Sequence, residues 1–165
     1  MTGDDVTRIA RALSLEPWFF TELIPAADAS ADGLSLEAGG ALHHLVLKRA
    51  AFAESASGET CSFLIHLADG SARCGLGALR PGVCRVFPAR RAQDSIALEP
   101  GGCTCDWSAV PIERSAEQEL AAAESARERY VEVVARWNSF VGKSAPATPF
   151  SARDFGRFLL DAYAQ

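Results

Sequence analysis

The chain has 165 residues, a net charge of −5, 48% hydrophobic and 22% charged residues, which is ordinary for a globular protein long enough for one proper core. No apolar run is long enough to span a bilayer, and two lysines with no Lys/Arg-rich run leave no nucleic-acid footprint. The opening "MTGDDVTRIARAL" is neither a basic-then-apolar leader nor an anchor, so the expectation is a cytoplasmic protein with no nucleic-acid or membrane partner.

In chain order, Thr2 with Asp5 three residues on resembles a capping box with Asp in place of Glu. Val6, Ile9, Ala10 and Leu13 follow at helical spacing, predicting a helix over about 3–13. Pro17 opens a second short helix, "PWFFTELI", because its missing N–H costs nothing in a first turn. Residues 25–40 read as a loop, with Asp28 and Asp32 as solvated loop charges. "ALHHLVLKRA" has strand character; the adjacent His43 and His44 then point to opposite faces, so at most one faces a given ion. "ESASGE" reads as a turn. "TCSFLIHLADGSARCGLG" reads as a strand, an Asp69-Gly70 turn and a returning strand, with His66 on the hairpin. "ALRPGVCRVFP", broken by Pro81 and Pro88, reads as one helical turn. "ARRAQ" is a solvated turn, and "SIALEP" a last short strand.

From about 112 to 142 the chain is proline-free and strongly helical. Tyr130, Val133, Val134, Trp137, Phe140 and Val141 form one apolar stripe, a core surface first. Ser151, with Asp154 three residues on, caps a last helix carrying Phe155, Phe158, Leu159 and Ala162. The predicted architecture is α+β: a small antiparallel hairpin or sheet with a cysteine cluster, packed against short N-terminal helices and one long plus one short C-terminal helix. Residues 1–110 make the cysteine-cluster unit, and 111–165 a helical extension packed on it as one compact domain.

The five cysteines all lie between Cys61 and Cys105, at Cys61-x12-Cys74-x9-Cys84-x18-Cys103-x-Cys105. In a reducing compartment a disulfide framework is not expected. Thiolates bind soft metals, and Arg80 and Arg85, always charged, flank Cys84 as charge partners for thiolates or for a multi-thiolate cofactor. Four thiolates suit zinc or an iron–sulfur cluster rather than magnesium or calcium. Against this, free cysteine also packs as a small hydrophobe. A two-residue turn at Asp69-Gly70 places Cys74 opposite Ile65, with Cys61 roughly 13 Å down its strand, so the two share an ion only if the hairpin is irregular. No HExxH, Walker, GxSxG or dinucleotide signature is present. Two other readings stand beside chelation. One is a metal-free interaction domain with buried structural cysteines, using the Tyr130–Val141 stripe as its partner surface. The other is a cysteine-dependent enzyme whose Cys84 thiolate is favoured by Arg85.

The block Cys61, Phe63, Leu64, Cys74, Arg80, Pro81, Cys84, Arg85, Phe87 and Pro88 resembles the second half of the YkgJ-like cysteine-cluster family, described as a zinc- or iron-chelating CxxCxxCC domain. "TGDDVTRIARAL" also resembles that family's lead into its first helix. The resemblance covers about residues 2–105. It departs from the family in having no cysteine before Cys61, where the defining cluster normally precedes this segment, and in Gly77, where the family usually has an aromatic residue. The resemblance implies metal ligation by Cys61, Cys74 and Cys84, with Cys103 or Cys105 as the fourth ligand. The resulting expectation is a zinc or iron (possibly iron–sulfur) binding protein in a structural or metal-handling role.

Overall fold

The computed structural model describes residues 1–27, 30–51, 58–93, 95–98, 114–144 and 148–164. The α+β expectation holds: five helices combine with short, wholly antiparallel strand pairs among these residues. Helix α1 (Gly3–Leu13) starts at the reciprocal capping box of Thr2 and Asp5 and ends at Ser14 in the left-handed region. Helix α2 is shorter than expected, Pro17–Phe20. The rest of "PWFFTELI" is strand β1 (Thr21–Pro25), which pairs with β3 (Leu42–Leu47) in the register Leu23↔Leu45. The reason is a partner from far along the chain: the ladder to β3 supplies backbone bonds that a continued short helix would have made locally. Strand β2 (Leu34–Ser35), inside the expected loop, completes this three-stranded sheet in the order β1-β3-β2.

After Lys48 the chain enters β4 (Arg49–Ala51), which pairs with β5 (Glu59–Cys61). Most of the expected "ESASGE" turn lies outside the described residues. A turn at Ser62 and Phe63 separates β5 from β6 (Leu64–His66), so the expected long strand is broken in two. Strand β7 (Ala72–Cys74) returns with Leu64↔Cys74, one position away from the Ile65 pairing expected. The loop has three residues rather than two: Leu67 N–H bonds the Ser71 carbonyl at 2.9 Å, and Gly70 takes φ 81°. This is the three-residue hairpin geometry that wants glycine at its left-handed position. "ALRPGVCRVFP" gives a 3-10 turn at Gly77–Leu79 and α3 (Gly82–Val86). Gly77 itself lies at φ 52°, where an aromatic side chain would be strained. "ARRA" is strand β8 (Ala89–Ala92), not a solvated turn, because it pairs with β9 (Ser95–Leu98).

The long helix α4 (Arg114–Lys143) and α5 (Ala152–Ala162) follow, the latter with the expected Ser151–Asp154 capping box. The stripe on α4 is core: Tyr130, Val133, Val134, Trp137 and Val141 are buried with Val6, Ile9, Phe20, Leu34, Phe155 and Leu159. The Trp137 ring lies 5.2–5.7 Å from those of Phe140, Phe150, Phe155 and Phe158. Its Nε1 donates to the Ser35 carbonyl at 2.7 Å, while Asn138 accepts from Ser35 N–H and donates to the Gly33 carbonyl. Helix α4 thereby satisfies the backbone of the short strand β2. The stripe therefore has no surface left to offer a partner, apart from Phe140, which is half exposed.

Candidate functional site: a cleft between three helices

Cys61 ends β5, Cys74 ends β7 and Cys84 stands on α3. All three are free thiols; Cys61 and Cys74 are half-buried, Cys74 packed against the hydrophobic core, and Cys84 is exposed. Cys103 and Cys105 lie outside the described residues. Among the described residues no group of three or more His, Cys, Asp or Glu side chains is arranged to hold a metal ion. The expected zinc- or iron-binding function is corrected on that finding.

Surrounding protein, and then the nearby Cys61 and Cys74, push the Cys84 thiol up from its ordinary value, so by itself it is held protonated. Arg85 does not relieve this, because its Nε faces Glu119 of α4 at 3.3 Å. That direction runs against an activated Cys84 thiolate. Arg80 is exposed, and its contribution is its carbonyl, which accepts from Arg8 at 3.2 Å. Of the histidines, His44 lies 3.8 Å from Asp32, His43 has a buried Nδ1 without a partner among the described residues, and His66 is exposed on β6.

What the Arg-Pro segment does in the structure is dock on α1. Arg8 donates to the carbonyls of Ala78 and Arg80 and to Asp5 Oδ1 at 2.7 Å. Asp5 Oδ1 also accepts from Gly82 N–H at 3.0 Å, a buried bond that joins the first turn of α1 to the first turn of α3. Gly82 in turn lies against α4, where a Cβ at this position would meet the Ala123 Cβ at 3.4 Å. Three helices therefore converge at Gly82, and beside that point they part to leave a cleft of about 350 Å³.

The cleft wall is apolar on two sides, with Val83 and Val86 from α3 facing Ala122, Ala123 and Ala126 of α4. Its charged side chains each face an opposite charge within the protein. Arg8 pairs with Asp5, Arg85 with Glu119, and Glu124 with Arg91. Asp4 pairs with Arg129 at 2.7 Å, and Arg127 with Asp32 at 3.6 Å. Burial opposes the charge on Asp32, but the Ser30 hydroxyl and the Arg127 guanidinium outweigh it and hold the carboxyl below its usual range. Asp32 is thus a built part of this site, not a solvated loop charge.

Two lining atoms, Asp4 Oδ2 and the Tyr130 hydroxyl, are buried without a hydrogen-bond partner among the described residues. Tyr130 is 2% exposed, yet its hydroxyl has no hydrogen-bond partner among the described residues. Burial first, then the nearby Asp32, push its ionisation far up, so the phenol stays protonated and is a donor. Tyr130 and Asp32 line both this cleft and a smaller cavity of about 240 Å³ against Ile24, Leu45 and Val46. Sequence reasoning placed Tyr130 among core residues and missed Arg8, Asp32 and Arg127. The available signal was the residue type: a tyrosine in an otherwise hydrocarbon stripe brings a hydroxyl that must be bonded somewhere.

No helix of the described residues is long and apolar enough to cross a membrane. No family model, curated protein or solved structure matches the chain, so the resemblance to the cysteine-cluster family rests on the residues quoted for it.

Proposed function

We propose that this domain binds a small organic ligand in the cleft between α1, α3 and α4. The observation that carries the reading is the buried, unpartnered Tyr130 hydroxyl lining a cleft with an alanine and valine wall. A buried polar atom without a partner is costly in a finished core, and a concave apolar space with one or two placed polar groups is the usual form of a ligand site. The space falls in the range that small molecules occupy. The reading is one of recognition, not catalysis. The one hydroxyl nucleophile type in the lining besides tyrosine is Thr2, and its side chain serves the helix cap. The cytoplasm remains the proposed compartment, in keeping with thiols that are free at Cys61, Cys74 and Cys84.

The test is to fill the space. Ala126→Leu adds a branched side chain to the half-buried wall of α4. In a fragment titration followed by amide chemical shifts, ligands of the wild-type protein should perturb Gly82, Ala123 and Tyr130. The Ala126→Leu protein, with an unchanged fold by circular dichroism, should lose those perturbations. Fragments that bind both proteins alike would place the binding site elsewhere and sink the proposal.

A further inference from the structure

Resting on that cleft being a binding site, we infer that its occupant carries a hydrogen-bond donor and an acceptor side by side on an apolar body, as a primary carboxamide or an alcohol does. The donor faces Asp4 Oδ2, and the acceptor faces the Tyr130 hydroxyl.

The first support is the pair of polar atoms left unused. Asp4 and Tyr130 both line the cleft, and Asp4 Oδ2 and the Tyr130 hydroxyl are each buried with no hydrogen-bond partner among the described residues. They ask for opposite things. Asp4 Oδ1 accepts from Arg129 at 2.7 Å, and the remaining carboxylate oxygen can only accept. The Tyr130 phenol is 2% exposed and held protonated by its burial, so it donates. A ligand with an acceptor alone leaves Asp4 unanswered. An ammonium, which has donors alone, leaves the phenol proton unanswered, and a ligand carboxylate sets its charge against that of Asp4.

The second support is that the protein's other groups do not fill these two places. Asp5 has both carboxylate oxygens occupied, by Thr2 on one side and by Arg8 and Gly82 on the other. Met1 also lines the cleft, and it bonds neither atom. Arg127 and Arg129, with side chains 63% and 62% exposed, are engaged with Asp32 and with the other oxygen of Asp4. Val83, Val86, Ala123 and Ala126 are short side chains that leave room for an apolar body without supplying polar contacts of their own.

The experiment uses four probes on one carbon frame. Phenylacetamide carries both groups, methyl phenylacetate the acceptor alone, phenethylamine the donor alone and propylbenzene neither. Each is titrated into the full chain and its Asp4→Ala and Tyr130→Phe variants, reading the amide shifts of Gly82, Ala123, Ala126 and residue 130. Phenylacetamide should perturb these amides. Tyr130→Phe should weaken it roughly 3- to 10-fold and Asp4→Ala about tenfold or more, the sizes of a neutral and a charge-assisted hydrogen bond. Methyl phenylacetate should respond to Tyr130→Phe alone, phenethylamine to Asp4→Ala, and propylbenzene to neither. Phenylacetamide binding that ignores either variant would overturn the inference and leave the cleft as the binding site. So would methyl phenylacetate or phenethylamine binding these amides as tightly as phenylacetamide. Asp4 also lines a second groove with Thr7 and Tyr163, so Tyr163→Phe must leave phenylacetamide binding as it is; weakening there would overturn the place given to Asp4 Oδ2. If none of the four probes moves these amides, the cleft reading itself fails and takes the inference with it. Tyr130→Phe removes only an unbonded oxygen, circular dichroism checks the fold of each variant, and Ala126→Leu must block every probe.

Discussion

Asp5 is the residue whose replacement should be felt furthest from its own position. One carboxylate oxygen accepts from Thr2 N–H and Thr2 Oγ1, and the other from Arg8 and from the buried Gly82 N–H. Asp5→Ala removes the return half of the capping box, worth at most about 1 kcal/mol, and orphans a buried backbone donor, worth about 1–3 kcal/mol. The ion pair to the partly exposed Arg8 adds at most about 1 kcal/mol. Since these share one carboxylate they do not add fully, and a loss of about 3 kcal/mol is expected. For a chain of this size that lowers Tm by roughly 6–12 °C. Asp5→Asn is the sharper variant. An amide has one acceptor oxygen and one donor nitrogen, so in either orientation its NH2 faces N–H groups that need an acceptor. It should lose about half as much. Urea melts by circular dichroism give the ranking, and amide exchange gives the location: the Gly82 amide should exchange faster relative to amides in the middle of α1. If Asp5→Ala costs less than about 1 kcal/mol, or Gly82 exchange is unchanged, α1 and α3 are not joined as argued and the cleft has lost one of its supports.

Tyr130→Phe should raise the stability of the ligand-free protein by about 1 kcal/mol, because it deletes a buried hydroxyl that nothing satisfies; a loss of similar size in a thermal melt would mean the hydroxyl is bonded. Cys84, although exposed, should react slowly with iodoacetamide near neutral pH and speed up only above the ordinary free-thiol range of about 8.5, since burial and the neighbouring Cys61 and Cys74 raise it; mass-resolved alkylation that is fast at neutral pH refutes this. The Ser151 hydroxyl and N–H hold the Asp154 carboxyl below its usual 3.8, so this group's contribution is fully present above that value and lost as pH falls through the depressed folded one. Ser151→Ala should cost about 0.5–2 kcal/mol at neutral pH and make the acid limb of the stability curve shallower; an unchanged limb would show that the serine does not set the carboxyl's titration.

Some of this was legible without coordinates because its chemistry is local. Thr2 with Asp5, and Ser151 with Asp154, satisfy backbone groups within one helical turn, and both capping boxes formed where the spacing placed them. The 3.6-residue stripe from Tyr130 to Val141 likewise marked a buried helix face. Those features depend on hydrogen bonds and side-chain periods that a segment carries with it wherever it goes.

The rest depended on partners far along the chain. Thr21–Pro25 is a strand because Leu42–Leu47 lies beside it, although Pro17 can open a helix through the same residues. A hairpin loop longer by one residue moved Cys74 from Ile65 to Leu64, and the break at Ser62 and Phe63 put Cys61 on a different strand pair. Cysteine spacing said nothing about Arg85 turning to Glu119, more than thirty positions on. The sequence by itself determined α1, α4 and α5, the caps of α1 and α5, and the apolar stripe, because each is settled within a turn or two of chain. Tertiary structure decided the thiol environment and the cleft, because each is made of groups from elements that meet only when packed: Asp5, Gly82 and Ala123 at one point, and beside them a tyrosine hydroxyl left without a partner.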